Sequence, residues 1–280
     1  MIPKIIHYCW FGRNPKPALT EKCLKSWKKY CPDFTIREWN EDSLDLSAAP
    51  LYVRQAYEAG KWAFVSDYVR LLAMTREGGV YMDTDVELVR PLEPFLKNRA
   101  FCGFETKKSI STGVMACEQG FPLFGEFLRH YDEVSFYHDD GSLNVTTNVE
   151  TVTAALSPWG LRLDGREQTV AELTIYPSYV FSPVDFETGV LHRKSKTVAI
   201  HWFSGSWYTA QEQAHRETLR RKARRAKLTD PVKRAVHSCL GDEGMERWQE
   251  RLRRYRSWEE FSKIPRRVLR KLLGKSNAEE

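Results

Sequence analysis

Asp83 and Asp85 stand two apart at the end of the run Gly78-Gly79-Val80-Tyr81-Met82-Asp83-Thr84-Asp85. Residues two apart on a strand point to the same side, so Val80 to Val86 read as a strand sets two carboxylates side by side. Such a pair repels itself unless a cation lies between its members. Oxygen ligands of this kind suit Mg2+ or Mn2+, ions that commonly bridge the phosphates of a nucleotide. A bare Asp-x-Asp is most often a solvated strand end, so the context decides. Thr197 to His201 is a second apolar run, ending in an imidazole able to complete an oxygen-rich metal shell; a hydrogen-bonded core histidine is the competing reading.

The element that must position the acidic pair lies just before it. Phe64, Tyr68, Leu71, Leu72 and Thr75 recur at helical spacing and predict one buried stripe, with Asp67 and Arg70 on its flank. Gly78 and Gly79 suit the end of that helix, because glycine takes left-handed backbone without a Cβ clash. Ile2 to Trp10 reads as a buried first strand, residues around Leu19 to Trp27 as a helix, and Phe34 to Trp39 as a second strand. This strand–helix–strand order predicts parallel neighbours and an α/β sheet. Loops that follow strands in such sheets line the ligand crevice, which places Trp10 there. Its ring suits the stacking of a base, or else caps the core. His7, within the strand, reads as a core histidine.

Further along, Ala100–Phe104 and Gly113–Cys117 predict two strands paired across a 106–112 loop, and Pro122 opens a helix. Residues 137–146 read as a solvated connection. Asn148 precedes a predicted helix over 149–156, where an N-cap is its local reading. A strand is expected near Leu173–Tyr176.

The Ser66-Asp67-x-x-Arg70 helix followed by Gly78-Gly79-x-Tyr81-x-Asp83-x-Asp85 resembles the sugar-binding region of glycosyltransferases that carry the DXD motif. The closest resemblance is to family 32, which includes bacterial capsular-polysaccharide transferases and the yeast initiating mannosyltransferase. The glucosylating domain of the large clostridial toxins is more distant. The opening IPKIIHYCWFG and the segment AIHWFSGSW at 199–207 also look like the family's first strand and closing segment. The resemblance implies a GT-A-type, Rossmann-like fold: a mixed, mostly parallel sheet flanked by helices. It implies metal ligation by Asp83, Asp85 and His201, and sugar binding by Asp67 and Arg70. Arg70 would also approach the phosphates, and Tyr81 would add a hydrogen bond or pack beneath the site. Trp10 would then stack on the donor base, Trp207 and Ser206 would contact the diphosphate or sugar, and an amide such as Asn148 would face the sugar. Retention of anomeric configuration is implied as well. The implied donor is a nucleotide sugar, UDP-sugar first, and the implied acceptor a glycan or lipid-linked glycan in capsular or surface polysaccharide synthesis.

The chain has 280 residues and a net charge of +6. Its basic surplus is confined to residues 208–280, which hold 20 Lys and Arg against 11 Asp and Glu. A catalytic domain over 1–210 and a basic helical extension over 211–280 are therefore expected. In that extension Ile264, Val268, Leu269, Leu272 and Leu273 share one helical face among arginines. That pattern suits an anionic membrane surface, or else packing on the catalytic domain. No apolar run of about 18 residues and no signal-peptide pattern occurs, and the six cysteines show no Cys-x-x-Cys pair. Reduced thiols and a cytoplasmic location, peripheral to the membrane, are the expectation. Two other classes stay open. One is a metal-dependent nucleotidyltransferase, which no Walker-type phosphate loop supports. The other is a non-catalytic protein binding nucleic acid through its tail; without a nucleic-acid fold, no such partner is expected.

Overall fold

A computed structural model describes residues 1–205, Tyr208 and 211–226. The chain divides into two units, Met1–Gln213 and Ala214–Glu280. In the second, residues 214–226 are helical; the amphipathic face expected over 264–275 lies outside the described residues.

The first unit is built on a seven-stranded sheet. Its strands are β1 (Ile5–Cys9), β2 (Thr35–Trp39), β3 (Gly79–Met82), β5 (Ala100–Thr106), β6 (Ser109–Cys117), β7 (Gln168–Val170) and β8 (Leu173–Tyr176). Their spatial order is β2-β1-β3-β6-β5-β8-β7. β2, β1, β3, β5 and β8 run one way, and β6 and β7 the other. The sheet is thus mixed and mostly parallel, as the strand–helix–strand order predicts. β4 (Val86–Leu88) and β9 (Ala199–His201) form a separate antiparallel pair with Val86 opposite His201.

Alternation along the strands assigns the layers. Tyr81, Cys102 and Met115 point into one core with α2 (Leu51–Glu58), α3 (Trp62–Glu77), α4 (Pro122–Arg129) and α5 (Asn148–Leu156). Val80, Met82, Phe101 and Val114 point into the other, with α1 (Ala18–Tyr30) and α6 (Ser178–Phe181). Both faces are covered, which is why these strands are almost wholly apolar. Trp27 of α1 is fully buried and donates its Nε1–H to the Val86 carbonyl at 2.7 Å, tying helix to second sheet. Among the described residues, no helix is long and apolar enough to cross a membrane.

Several expectations are corrected in detail. α3 is buried on most of its circumference, with Val65, Val69, Ala73 and Met74 covered as well as Phe64, Leu71 and Leu72. It lies between the sheet and two further helices, so one stripe does not suffice. The 106–112 loop shrinks to a turn at 107–108, because β5 and β6 continue almost to its tip. The cap of α5 is Thr147, whose hydroxyl and Glu150 form a reciprocal capping box. Asn148 is thereby freed for another task. The expected strand from Val80 to Val86 is two strands in two sheets. β3 stops at Met82, and Asp83 to Asp85 make a turn closed by Val86 N–H donating to the Asp83 carbonyl at 3.0 Å.

Candidate active site

The break between β3 and β4 is what brings the candidate ligands together. β3 ends with Asp83 N–H held by the Gly113 carbonyl at 2.9 Å, and the chain then turns into β4, whose partner β9 ends in His201. Ligand atoms of Asp83, Asp85 and His201 consequently lie within 4.8 Å of one another. His201 Nε2 is 3.2 Å from Asp85 Oδ1 and 3.9 Å from Asp83 Oδ2. Asp85 Oδ2 accepts the Ser204 N–H at 2.7 Å.

Burial alone would favour the neutral forms of both partners. For Asp85 the His201 imidazolium and the Ser204 N–H outweigh that penalty and hold the carboxyl well below its ordinary range. For His201 burial pulls down, but Asp85 and then Asp83 push it up to about 9. A histidine raised above its unfolded value near 6.5 contributes stability that is full below that value and fades as pH rises through the folded one. The melting temperature of the metal-free protein is therefore expected to fall between pH 6.5 and about 9, and its advantage over His201→Gln to vanish across the same window. Differential scanning fluorimetry in EDTA reads this; an advantage that persists above the window would refute the ion pair.

Two observations fit the trio to a divalent ion. His201 Nδ1 is buried without a hydrogen-bond partner. Gly113, at the centre of β6, leaves open the space beside the ligands: a Cβ there would lie 2.9 Å from His201 Nδ1 and 3.0 Å from Asp83 Oδ2. Two carboxylates and an imidazole are a donor set that Mn2+ or Mg2+ accepts. Gly113→Ala is expected to fold but to bind Mn2+ at least tenfold more weakly in calorimetry, since His201 or Asp83 must yield. Unchanged affinity would remove Gly113 from the site. Sequence reading passed over this residue, although a glycine inside a run as apolar and β-branched as SISTGVMAC is the known signal of a close approach.

α3 supplies the remaining groups. Arg70 is buried and forked between two acids, 2.8 Å from Asp67 and 3.2 Å from Asp83. It also donates to the Thr112 carbonyl at 2.9 Å and lies over the Tyr81 ring at 4.7 Å. Tyr81 O–H in turn donates to Asp83 Oδ1 at 3.0 Å. Burial pushes the Asp67 carboxyl up to about 6 against the opposing pull of Arg70. Asn148, 1% exposed, donates to the Asp67 carbonyl at 3.0 Å, and its Oδ1 is buried without a partner. Asp67, Arg70, Tyr81, Asp83 and Asn148 thus form one cluster continuous with Asp85 and His201.

Trp10 follows β1, in the loop where the strand order places it. It is half-buried, donates to the Asn14 carbonyl at 2.7 Å and carries the Lys16 ammonium 5.5 Å from its ring centre. It lines a cleft of about 410 Å³ with Lys16, Glu21, Glu38, Glu41 and Asp42. None of the acidic trio lines this cleft. His7 is the core histidine expected, accepting from Trp39 Nε1–H at 3.0 Å and paired with the Gly78 carbonyl at 2.9 Å. Ser206 and Trp207 lie outside the described residues.

Residues 17–102 match the glycosyltransferase sugar-binding region containing the DXD motif. Over 142 residues the chain is 30% identical to inositol phosphoceramide mannosyltransferase 3 of Schizosaccharomyces pombe, covering 49% of this chain and 39% of that protein. It is 28% identical over 142 residues to mannosyl phosphorylinositol ceramide synthase of Saccharomyces cerevisiae, covering 47% and 36%. The chain thus spans less than two fifths of the length of either relative. A solved structure, PaToxG glycosyltransferase, aligns with a TM-score of 0.44 at 19% identity over 56% of this chain and 69% of that one.

Proposed function

We propose that this chain, which carries a DXD-type glycosyltransferase sugar-binding region, moves a hexose from a nucleotide sugar to a glycan or lipid-linked glycan, with retention at the anomeric carbon. The observation that supports this most is the convergence of Asp83, Asp85 and His201 beside the Asp67–Arg70 pair. Mn2+ or Mg2+ held by the trio would supply Lewis-acid neutralisation of the charge growing on the leaving diphosphate.

The chain's own residues divide the remaining work. Asp85, held ionised by its surroundings, keeps an anionic ligand in place at neutral pH. Asp67 binds hydroxyls of the transferred sugar, its backbone fixed by Asn148 and its carboxylate aimed by Arg70. Arg70 spends its donors on Asp67, Asp83 and Thr112, so its first task is to orient both acids. Trp10 offers a ring to the donor base, and Ser206 and Trp207 are assigned to the diphosphate or sugar on the family resemblance alone. Residues 1–210 are the catalytic domain in this reading and 211–280 a basic extension.

The two yeast relatives are named for mannosyl transfer to an inositol phosphoceramide, which adds a mannosyl donor and an anionic lipid acceptor to the first choice of a UDP-sugar. Capsular or surface polysaccharide synthesis remains the proposed setting. Among the described residues Cys9, Cys23, Cys31, Cys102 and Cys117 are buried free thiols, in keeping with the cytoplasmic placement proposed.

A panel of UDP- and GDP-sugars, mannose included, tests the reading with Mn2+, with Mg2+ and with EDTA. One donor is expected to be hydrolysed only when a divalent ion is present, releasing a nucleoside diphosphate. If no donor is cleaved, or if pyrophosphate forms instead from a sugar phosphate and a nucleoside triphosphate, the transferase reading falls.

A further inference from the structure

Residues 183–197 connect α6 to β9, the strand that ends in His201, as an irregular hairpin. Val184 bridges Leu191, Asp185 N–H donates to the Val190 carbonyl at 2.9 Å, and His192 N–H donates to the Pro183 carbonyl at 2.8 Å. Gly189 turns the tip in left-handed backbone at φ 65°. The hairpin's foot is anchored near the site, since Ser182 Oγ lies 3.4 Å from Ser111 Oγ, two residues before Gly113 on β6.

Its composition is unlike that of a solvated connection. Phe186 and Leu191 are 36% and 38% exposed. Directly after Leu191 the chain reads His192-Arg193-Lys194-Ser195-Lys196, every residue exposed and none acidic. Of the two acids in the hairpin, Asp185 accepts the Thr188 N–H and hydroxyl at 2.8 Å within the turn, which leaves Glu187 at the tip. Large apolar side chains next to a cluster of cations are the mark of a surface that enters the boundary of an anionic bilayer.

The hairpin also touches the site. Phe186 meets Phe203 edge-on at 5.3 Å, and Phe203 lies 4.1 Å from the His201 ring. Phe203 holds left-handed backbone at φ 50°, costly for an aromatic residue, and the next N–H is the one that binds Asp85. One stack therefore runs from the exposed tip to the candidate metal ligand.

We propose that the 183–197 hairpin is a membrane-docking element that seats the mouth of the site on an anionic lipid surface. Phe186 and Leu191 would enter the headgroup boundary, and Arg193, Lys194 and Lys196 would pair with lipid phosphates. The hairpin is a different stretch of the sequence from the basic C-terminal extension. It rests on the transferase reading only for its consequence, the presentation of a lipid-linked acceptor to Asp67 and its neighbours.

Hydrogen exchange of the full chain with phosphatidylcholine vesicles, with and without phosphatidylglycerol, tests it. Peptides spanning 184–196 are expected to gain protection only on the anionic vesicles. Arg193→Gln with Lys196→Gln is expected to weaken vesicle partitioning on the order of 30-fold, as loss of two surface cations predicts. Leu191→Ser should weaken it severalfold at any salt concentration, which a purely ionic contact would not show. All three substitutions should leave donor hydrolysis in solution unchanged, so that lost docking is distinct from lost folding. Protection confined to other segments, equal protection by soluble glycerophosphoglycerol, or unaltered partitioning of the variants would overturn the proposal. A chain that docks but cleaves no donor would sink the transferase reading and leave docking intact.

Discussion

Asp85→Asn is expected to fold, to lose Mn2+ binding by about a hundredfold or more, and to lose metal-dependent donor cleavage by on the order of a thousandfold. That factor corresponds to about 4 kcal/mol of transition-state stabilisation, within the several kcal/mol a Lewis acid provides. The fold should survive because both neighbours of the side chain keep a partner. The asparagine carbonyl can accept the Ser204 N–H now bound at 2.7 Å. Its amide can then donate to a neutral His201, whose Nε2 stands 3.2 Å from the present carboxylate. What disappears is the anion, and with it the feature that distinguishes a metal ligand from an ordinary polar contact. Titration calorimetry with Mn2+, donor hydrolysis and a thermal melt read the three parts separately. Turnover like that of the wild type would end the assignment of Asp85 to the metal.

How much of this was legible beforehand depends on the kind of information each residue carries. The acidic pair, the glycines before it and the Asp67–Arg70 spacing are local patterns, and the sequence displays them directly. Gly78 and Gly79 do adopt positive φ, which is a local reason for glycine, while the 2.8 Å approach of a Gly79 Cβ to the Ile5 carbonyl is a second reason that comes from across the sheet. The break at Asp83 was not legible. It depends on β4 finding β9, more than a hundred residues later, and the seven residues from Val80 to Val86 read equally well as one strand. Gly113 and Phe203 were missed for the same reason. Their importance lies in what approaches them across the fold, namely the His201 ring. The family resemblance gives Arg70 to the sugar and phosphates, and its place on the flank of an amphipathic helix does not reveal what covers it. In the fold that flank is covered, and the guanidinium has become the bridge between two acids.

That bridge gives the second large effect. Arg70→Met is expected to lower stability by about 3–5 kcal/mol, the usual result of removing one partner from a buried ionic cluster. For a domain of this size the loss corresponds to roughly 6–20 °C in melting temperature. The cause is the pair left behind. Asp67 and Asp83 would face each other across a buried space without a cation, and the Thr112 carbonyl would lose its donor. Arg70→Lys should recover little, because an ammonium cannot span two carboxylates and a carbonyl from one forked plane. The decisive comparison is Asp67→Asn added to Arg70→Met. If Arg70 acts chiefly by compensating and aiming the acids, the second substitution restores part of the lost melting temperature while activity stays low, since the sugar-binding carboxylate has gone. Mn2+ should also stabilise Arg70→Met more than wild type, because the ion then neutralises Asp83 in place of the guanidinium. Were Arg70 instead a solvated group waiting for phosphate, Arg70→Met would melt like wild type, neither restoration would appear, and only the Michaelis constant for the donor would rise.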